Sequence, residues 1–178
     1  VSTGSFRTAD IGIAHGRIAT VGSGARREHA DDTIDATGLW LLPGLIDCHV
    51  HLTLPTDAGD PAASANRSDA AITLYAAGAA ARTLHAGITT VRDVGGWNYV
   101  EMAVRDAVNS GSIPGPRMFL AGRLLSITTS TVEYYPGMYE VADGVDAVRA
   151  AARRQLARGA DLIKVMATGA MLSSETED

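Results

Sequence analysis

The chain has 178 residues, 46% of them hydrophobic and 20% charged, with a formal net charge of −5 and no Lys/Arg cluster, which argues against nucleic acid or an anionic membrane surface as a partner. No run approaches the roughly 20 apolar residues that span a bilayer, and the single Cys48 excludes an internal disulfide. With no signal-like start at Val1-Ser2-Thr3-Gly4, these features read as a globular cytoplasmic protein, although a removed signal peptide would leave no trace.

In chain order, residues 11–22 alternate apolar with small or polar side chains around His15-Gly16, which predicts a two-residue β-hairpin. Thr33-Ile34-Asp35-Ala36 reads as a third strand. From residue 41 onward strands alternate with helical patterns, the signature of βαβ units and a parallel sheet. Strands are predicted at 45–51, 88–94, 117–122 and 162–168. Helices are predicted over 67–85, over 98–110 opened by Asn98, and over 144–158 capped by Asp143 and ended near Gly159. The loops that leave strand C-termini, 52–65, 95–97 and 123–142, are the candidate site-forming segments.

Within the first of these strands, Pro43-Gly44-Leu45-Ile46-Asp47-Cys48-His49-Val50-His51 carries the most information. Alternation sends Asp47, His49 and His51 to one face, where two imidazoles can grip one metal. The bland reading is a pair of hydrogen-bonded core histidines. The intervening Leu45, Ile46, Cys48 and Val50 suit a strand buried on both sides, and Cys48 reads as a small buried hydrophobe facing away from the histidines. Asp47 shares the inward face either as an acceptor that orients a ligand histidine or as a structural carboxylate.

Two further segments complete the pattern. Lys164 sits inside the apolar run Asp161-Leu162-Ile163-Lys164-Val165-Met166-Ala167-Thr168-Gly169, and a lysine centred in a buried strand is costly unless paired or neutralised. The alternative is a surface lysine whose stem lies along apolar neighbours while its head reaches water. Arg92 and Asp93 end the segment Ala86-Gly87-Ile88-Thr89-Thr90-Val91-Arg92-Asp93 and point to opposite faces, so at most one reaches the pocket.

On Pro43 to His51, Ala86 to Asp93 and Ile163 to Gly169, the chain resembles the amidohydrolase superfamily, in its imidazolonepropionase-like and prolidase-like branch. The resemblance implies an α/β fold, the first half of a (β/α)8 TIM barrel (residues 41–178) preceded by part of a small β-sandwich domain (residues 1–40). Such a barrel takes about 250 residues, so the chain reads as an N-terminal fragment. It also implies a binuclear centre of two divalent metals, zinc by default. His49 and His51 would bind the more buried ion, and Lys164, carbamylated by carbon dioxide, would bridge both as a catalytic ligand.

The implied activity is hydrolysis of an amide or related C–N bond in a small molecule, such as an N-acyl amino acid, dipeptide or cyclic amide, by metal-activated hydroxide. The fragment alone is expected to be inactive and to associate through its open barrel half. Rival readings are a phosphotriesterase or lactonase of the same superfamily and a noncatalytic metal-binding remnant. Many relatives carry Gly-Gly-His about where Thr128-Thr129-Ser130 stands, a departure that bears on substrate preference.

Overall fold

A computed structural model describes residues 6–22, 30–55 and 66–167. The chain divides into two compact units, Val1–Leu42 and Pro43–Asp178.

In the first unit, β1 (Ile11–Ala14) and β2 (Arg17–Val21) form an antiparallel hairpin with Ala14 opposite Arg17. Its turn residues His15 and Gly16 both have left-handed φ, 51° and 71°, as the tight turn that matches strand twist demands. The expected strand at Thr33–Ala36 does not form. Asp35 instead accepts from the Thr37 amide at 3.0 Å and from its hydroxyl at 2.6 Å, a local turn that competes with strand pairing.

The second unit alternates strands and helices. In it β3 (Leu45–Val50), α1 (Asp69–His85), β4 (Ile88–Asp93), α2 (Val100–Asn109) and β5 (Arg117–Leu120) follow one another, and the three strands form a parallel sheet in the order β3-β4-β5. Then come β6 (Leu124–Ser126), a short α3 (Thr131–Tyr134), β7 (Tyr139–Val141), α4 (Val145–Ala157) and β8 (Val165–Met166), with a second parallel sheet in the order β7-β6-β8. Both sheets are open, as in part of a (β/α) barrel. The main core lies between β4, β5 and the helices, where Val91, Leu120, Ala76, Ala80 and Val104 are buried. The alanines of α1 let the helix approach the sheet closely.

Several expectations need correction. The strand expected at 117–122 is interrupted at Ala121–Arg123, where Gly122 takes φ 72° and the Arg123 amide turns to donate to Gln155 Oε1 at 2.9 Å. The segment expected as a loop over 123–142 therefore contains β6, α3 and β7. Asn98 does not open α2: both Asn98 and Tyr99 have left-handed φ, and the Asn98 side chain donates through Nδ2 to Asp69 Oδ1 at 2.9 Å. Asp143 likewise does not cap α4, because its carboxylate accepts from the Thr128 amide and hydroxyl while Gly144 makes the turn into the helix. Ser68 does cap α1, accepting from the Ala71 amide at 3.3 Å.

The strand expected at 45–51, buried on both faces, is instead an edge strand that pairs only with β4 among the described residues. Leu45, Ile46 and Cys48 are exposed, so Cys48 is not the buried hydrophobe its neighbours suggested. The strand expected at 162–168 is reduced to β8. Thr168 and Gly169 of its motif lie outside the described residues.

Candidate metal centre

The alternation of β3 brings His49 and His51 to one side, with ring centroids 5.5 Å apart and planes inclined by 73°. Asp47, on the same face, does not touch an imidazole. Its carboxylate accepts from the backbone amide of His49 at 3.0 Å, which fixes the main chain at the first histidine. His51 follows the last residue of β3, and its Nδ1 lies 2.9 Å from the carbonyl oxygen of Gly95. A carbonyl only accepts, so Nδ1 carries the proton and Nε2 keeps its lone pair. Burial lowers the His51 pKa, opposed by that carbonyl and reinforced by the positive charge of Lys164. The ring is therefore neutral near neutral pH.

Lys164 is half-buried and immediately precedes β8, where its carbonyl accepts from the Leu125 amide at 2.9 Å. The main chain thus anchors it to β6, and its charge is felt at His51. A pocket of about 430 Å³ opens beside the imidazoles, lined also by Leu52, Leu54, Tyr75 and Arg82. The Arg82 guanidinium lies 5.6 Å from the Tyr75 ring centroid.

These donors fit a divalent cation as a partial ligand set: two imidazoles on one face, one with its Nε2 freed by a backbone acceptor. Among the described residues no group of three or more His, Cys, Asp or Glu side chains is arranged to hold a metal, and structural or catalytic zinc takes at least three protein ligands.

Two buried acidic residues stand out nearby: Asp93, singled out in the sequence only with Arg92 as one of a pair, and Glu101, which sequence reasoning misses. Asp93, the last residue of β4, is wholly buried, with Oδ2 accepting from the Leu52 amide at 2.9 Å and Oδ1 from the Gly95 amide at 3.0 Å. Burial raises its pKa to about 6 against the pull of those two amides. Glu101, in the first turn of α2, is also wholly buried, and neither of its carboxylate oxygens has a hydrogen-bond partner among the described residues. Burial pushes it up to about 8, opposed by its own amide and reinforced by Asp93. The one available signal was glycine: a Cβ at Gly96 would overlap the Glu101 carboxylate. Arg92, by contrast, is exposed and donates through Nε to the Cys48 carbonyl at 2.7 Å.

Open parallel sheets with covering helices are those of part of a (β/α) barrel; a profile of the amidohydrolase family matches residues 40–178, and the chain belongs to that family. It is 31% identical over 164 residues to the ochratoxinase of Aspergillus niger, a match that covers 76% of this chain and 32% of that protein. Its fold superposes on a solved amidohydrolase with a TM-score of 0.74 at 33% identity, over 92% of this chain and 43% of the other. It also superposes on a prolidase complexed with N-methylphosphonate-L-proline with a TM-score of 0.64 at 26% identity, over 90% of this chain and 42% of the other. The chain therefore spans about a third of the ochratoxinase and just over two fifths of the two solved structures.

Proposed function

We propose that this chain supplies the first part of the active site of a metal-dependent amidohydrolase that cleaves an amide or related C–N bond in a small molecule. The observation that carries the reading is the His49/His51 pair, with the Nδ1 proton of His51 committed to Gly95 and its Nε2 left as a donor. Family membership supports it, as do relatives described as an ochratoxinase and a prolidase. N-acyl amino acids and dipeptides are the substrates to try first.

His49 and His51 would hold one divalent ion, zinc by default, and Lys164, as its carbamate, would join it to a second. The bound metals would supply Lewis acidity and an activated water. The chain's own residues do the preparatory work. Asp47 holds the His49 main chain, Gly95 sets the His51 tautomer, and Leu52 and Leu54 close the apolar side of the pocket away from water. The ligands that complete coordination, and the group that moves the proton, come in this reading from residues beyond those described.

Replacing Lys164 with alanine in the full-length protein is expected to lower turnover of an N-acyl amino acid or Xaa-Pro dipeptide by at least ~100-fold and to halve the bound zinc, with partial recovery on adding a short-chain carboxylate. An unchanged rate and metal content would falsify the assignment. Turnover of phosphotriesters but of no amide would move the reaction class to the phosphotriesterase and lactonase side of the superfamily.

A further inference from the structure

We propose that Asp93 is a positioning residue for the metal centre, acting on His51 through the main chain of Gly95; the role rests on the reading of His51 as a ligand. Asp93 shares a face of β4 with Val91, which packs against the helix layer, so its carboxylate lies behind the sheet rather than among the imidazoles. Its two oxygens nevertheless control both ends of the contact that orients His51. Oδ2 takes the amide of Leu52, the residue that follows His51. Oδ1 takes the amide of Gly95, whose carbonyl accepts the Nδ1 proton.

One buried carboxylate therefore joins the loop after β3 to the loop after β4. Both amides are satisfied only by an acceptor with two free oxygens, which asparagine is not. The approach also requires glycine at 95, since a Cβ there would overlap Leu124 and stand 3.3 Å from His51 Cε1. Further main-chain bonds hold the frame: Val94 donates to Val50 at 3.0 Å and Ala121 to Asp93 at 3.0 Å. The Gly96 amide donates to the Gly122 carbonyl at 2.9 Å and so holds the far side of the Gly95–Gly96 peptide; what these bonds leave to the Asp93 side chain is the near side, the placement of Gly95 from which its carbonyl takes its direction. That direction decides which nitrogen of His51 faces the metal, and outer partners of this kind typically govern metal affinity by 10- to 100-fold.

The test uses the full-length protein labelled with 15N at histidine. In the metal-free parent, long-range 15N–1H correlations should show His51 as the Nδ1–H tautomer, and a parent carrying the Nε2–H form would overturn the proposal whatever any variant does. In Asp93→Asn, the His51 resonances should report a mixture of tautomers, and zinc affinity, measured by competition with a chelator, should fall 10- to 100-fold while the unfolding transition stays cooperative. A variant with the parent's tautomer and the parent's zinc affinity would overturn it equally. Should Asn at 93 prevent folding, the parent measurement still decides. A parent that holds the Nδ1–H tautomer yet takes up no zinc would instead overturn the ligand reading on which the role rests.

Discussion

Glu101 is a carboxyl group with no exposed surface and, among the described residues, no hydrogen-bond partner, packed where Gly96 leaves room for it. Its pKa is raised by burial to about 8 from an unfolded value near 4.5, so the folded state holds a proton that the unfolded chain releases. Stability is then fully present below about pH 4.5 and falls as pH rises toward 8. Asp93, raised to about 6, adds a drop of the same sign that is complete by about pH 6.5. Glu101 dominates the window between 6.5 and 8.5, where at ~1.4 kcal/mol per pH unit it costs the parent about 2 kcal/mol, and His51, whose lowered pKa acts with the opposite sign, offsets only a small part of it. Glu101→Gln should remove that loss. Denaturant midpoints at the two pH values provide the check, and an equal slope in the variant would rule Glu101 out as its source.

At the same scale, what could be read in advance is uneven for a physical reason. The shared face of Asp47, His49 and His51 follows from the two-residue period of a strand and needs no tertiary information. The burial of Glu101 does not. An acid in the first turn of a helix is explained well enough by the helix dipole, and the glycine at 96, the one signal beside it, shows its meaning only once the fold brings the two together.

Among the elements, helix starts were the least legible. Asn98 and Asp143 are residue types that cap helices, yet each has a stronger tertiary partner: Asn98 bonds Asp69 and Arg123, and Asp143 bonds Thr128 twice. Ser68, by contrast, caps α1 by accepting from the Ala71 amide. The break between β5 and β6 belongs here too. Gly122 has φ 72°, and a Cβ on it would stand 2.6 Å from Gln155 Oε1 and 3.1 Å from Tyr99 Cε1. Gly122→Ala therefore combines a left-handed alanine with loss of the bond from the Arg123 amide to the buried Gln155, a cost of roughly 2 to 4 kcal/mol. Gly16→Ala, at φ 71° with nothing within 4 Å, carries the conformational part alone and should cost about 1 kcal/mol. Thermal unfolding of the two variants separates the contributions; equal losses would mean that the Gln155 contact contributes nothing.

For the molecule as a whole, the alternation of strands and helices over residues 45–167 was readable, because hydrophobic period and glycine punctuation are local. Which strand lies at an edge was not. An apolar run such as Leu45-Ile46-Asp47-Cys48 looks the same in the middle of a sheet and at its margin, and here Leu45 and Ile46 are 60% and 67% exposed on a strand that, among the described residues, is paired on one side only. Unpaired edges flanked by apolar side chains recruit further strands. The 178-residue chain, prepared by itself, should therefore associate, as measured by light scattering after gel filtration. A monodisperse monomer with a cooperative unfolding transition would contradict this.

The bond between His51 and Gly95 joins residues 44 apart in sequence. Bringing such ends together costs the disordered chain roughly 3 kcal/mol of closure entropy, a sum repaid only when β3, α1 and β4 have already docked. Before that moment the two histidines are neighbours in sequence without a common direction, and either ring nitrogen of His51 is free to carry the proton. The histidine motif on its own is thus only half an address. Its other half is written by the backbone turn after β4, so the order of assembly runs from chain topology to tautomer, and only then to an imidazole with one nitrogen committed and the other open.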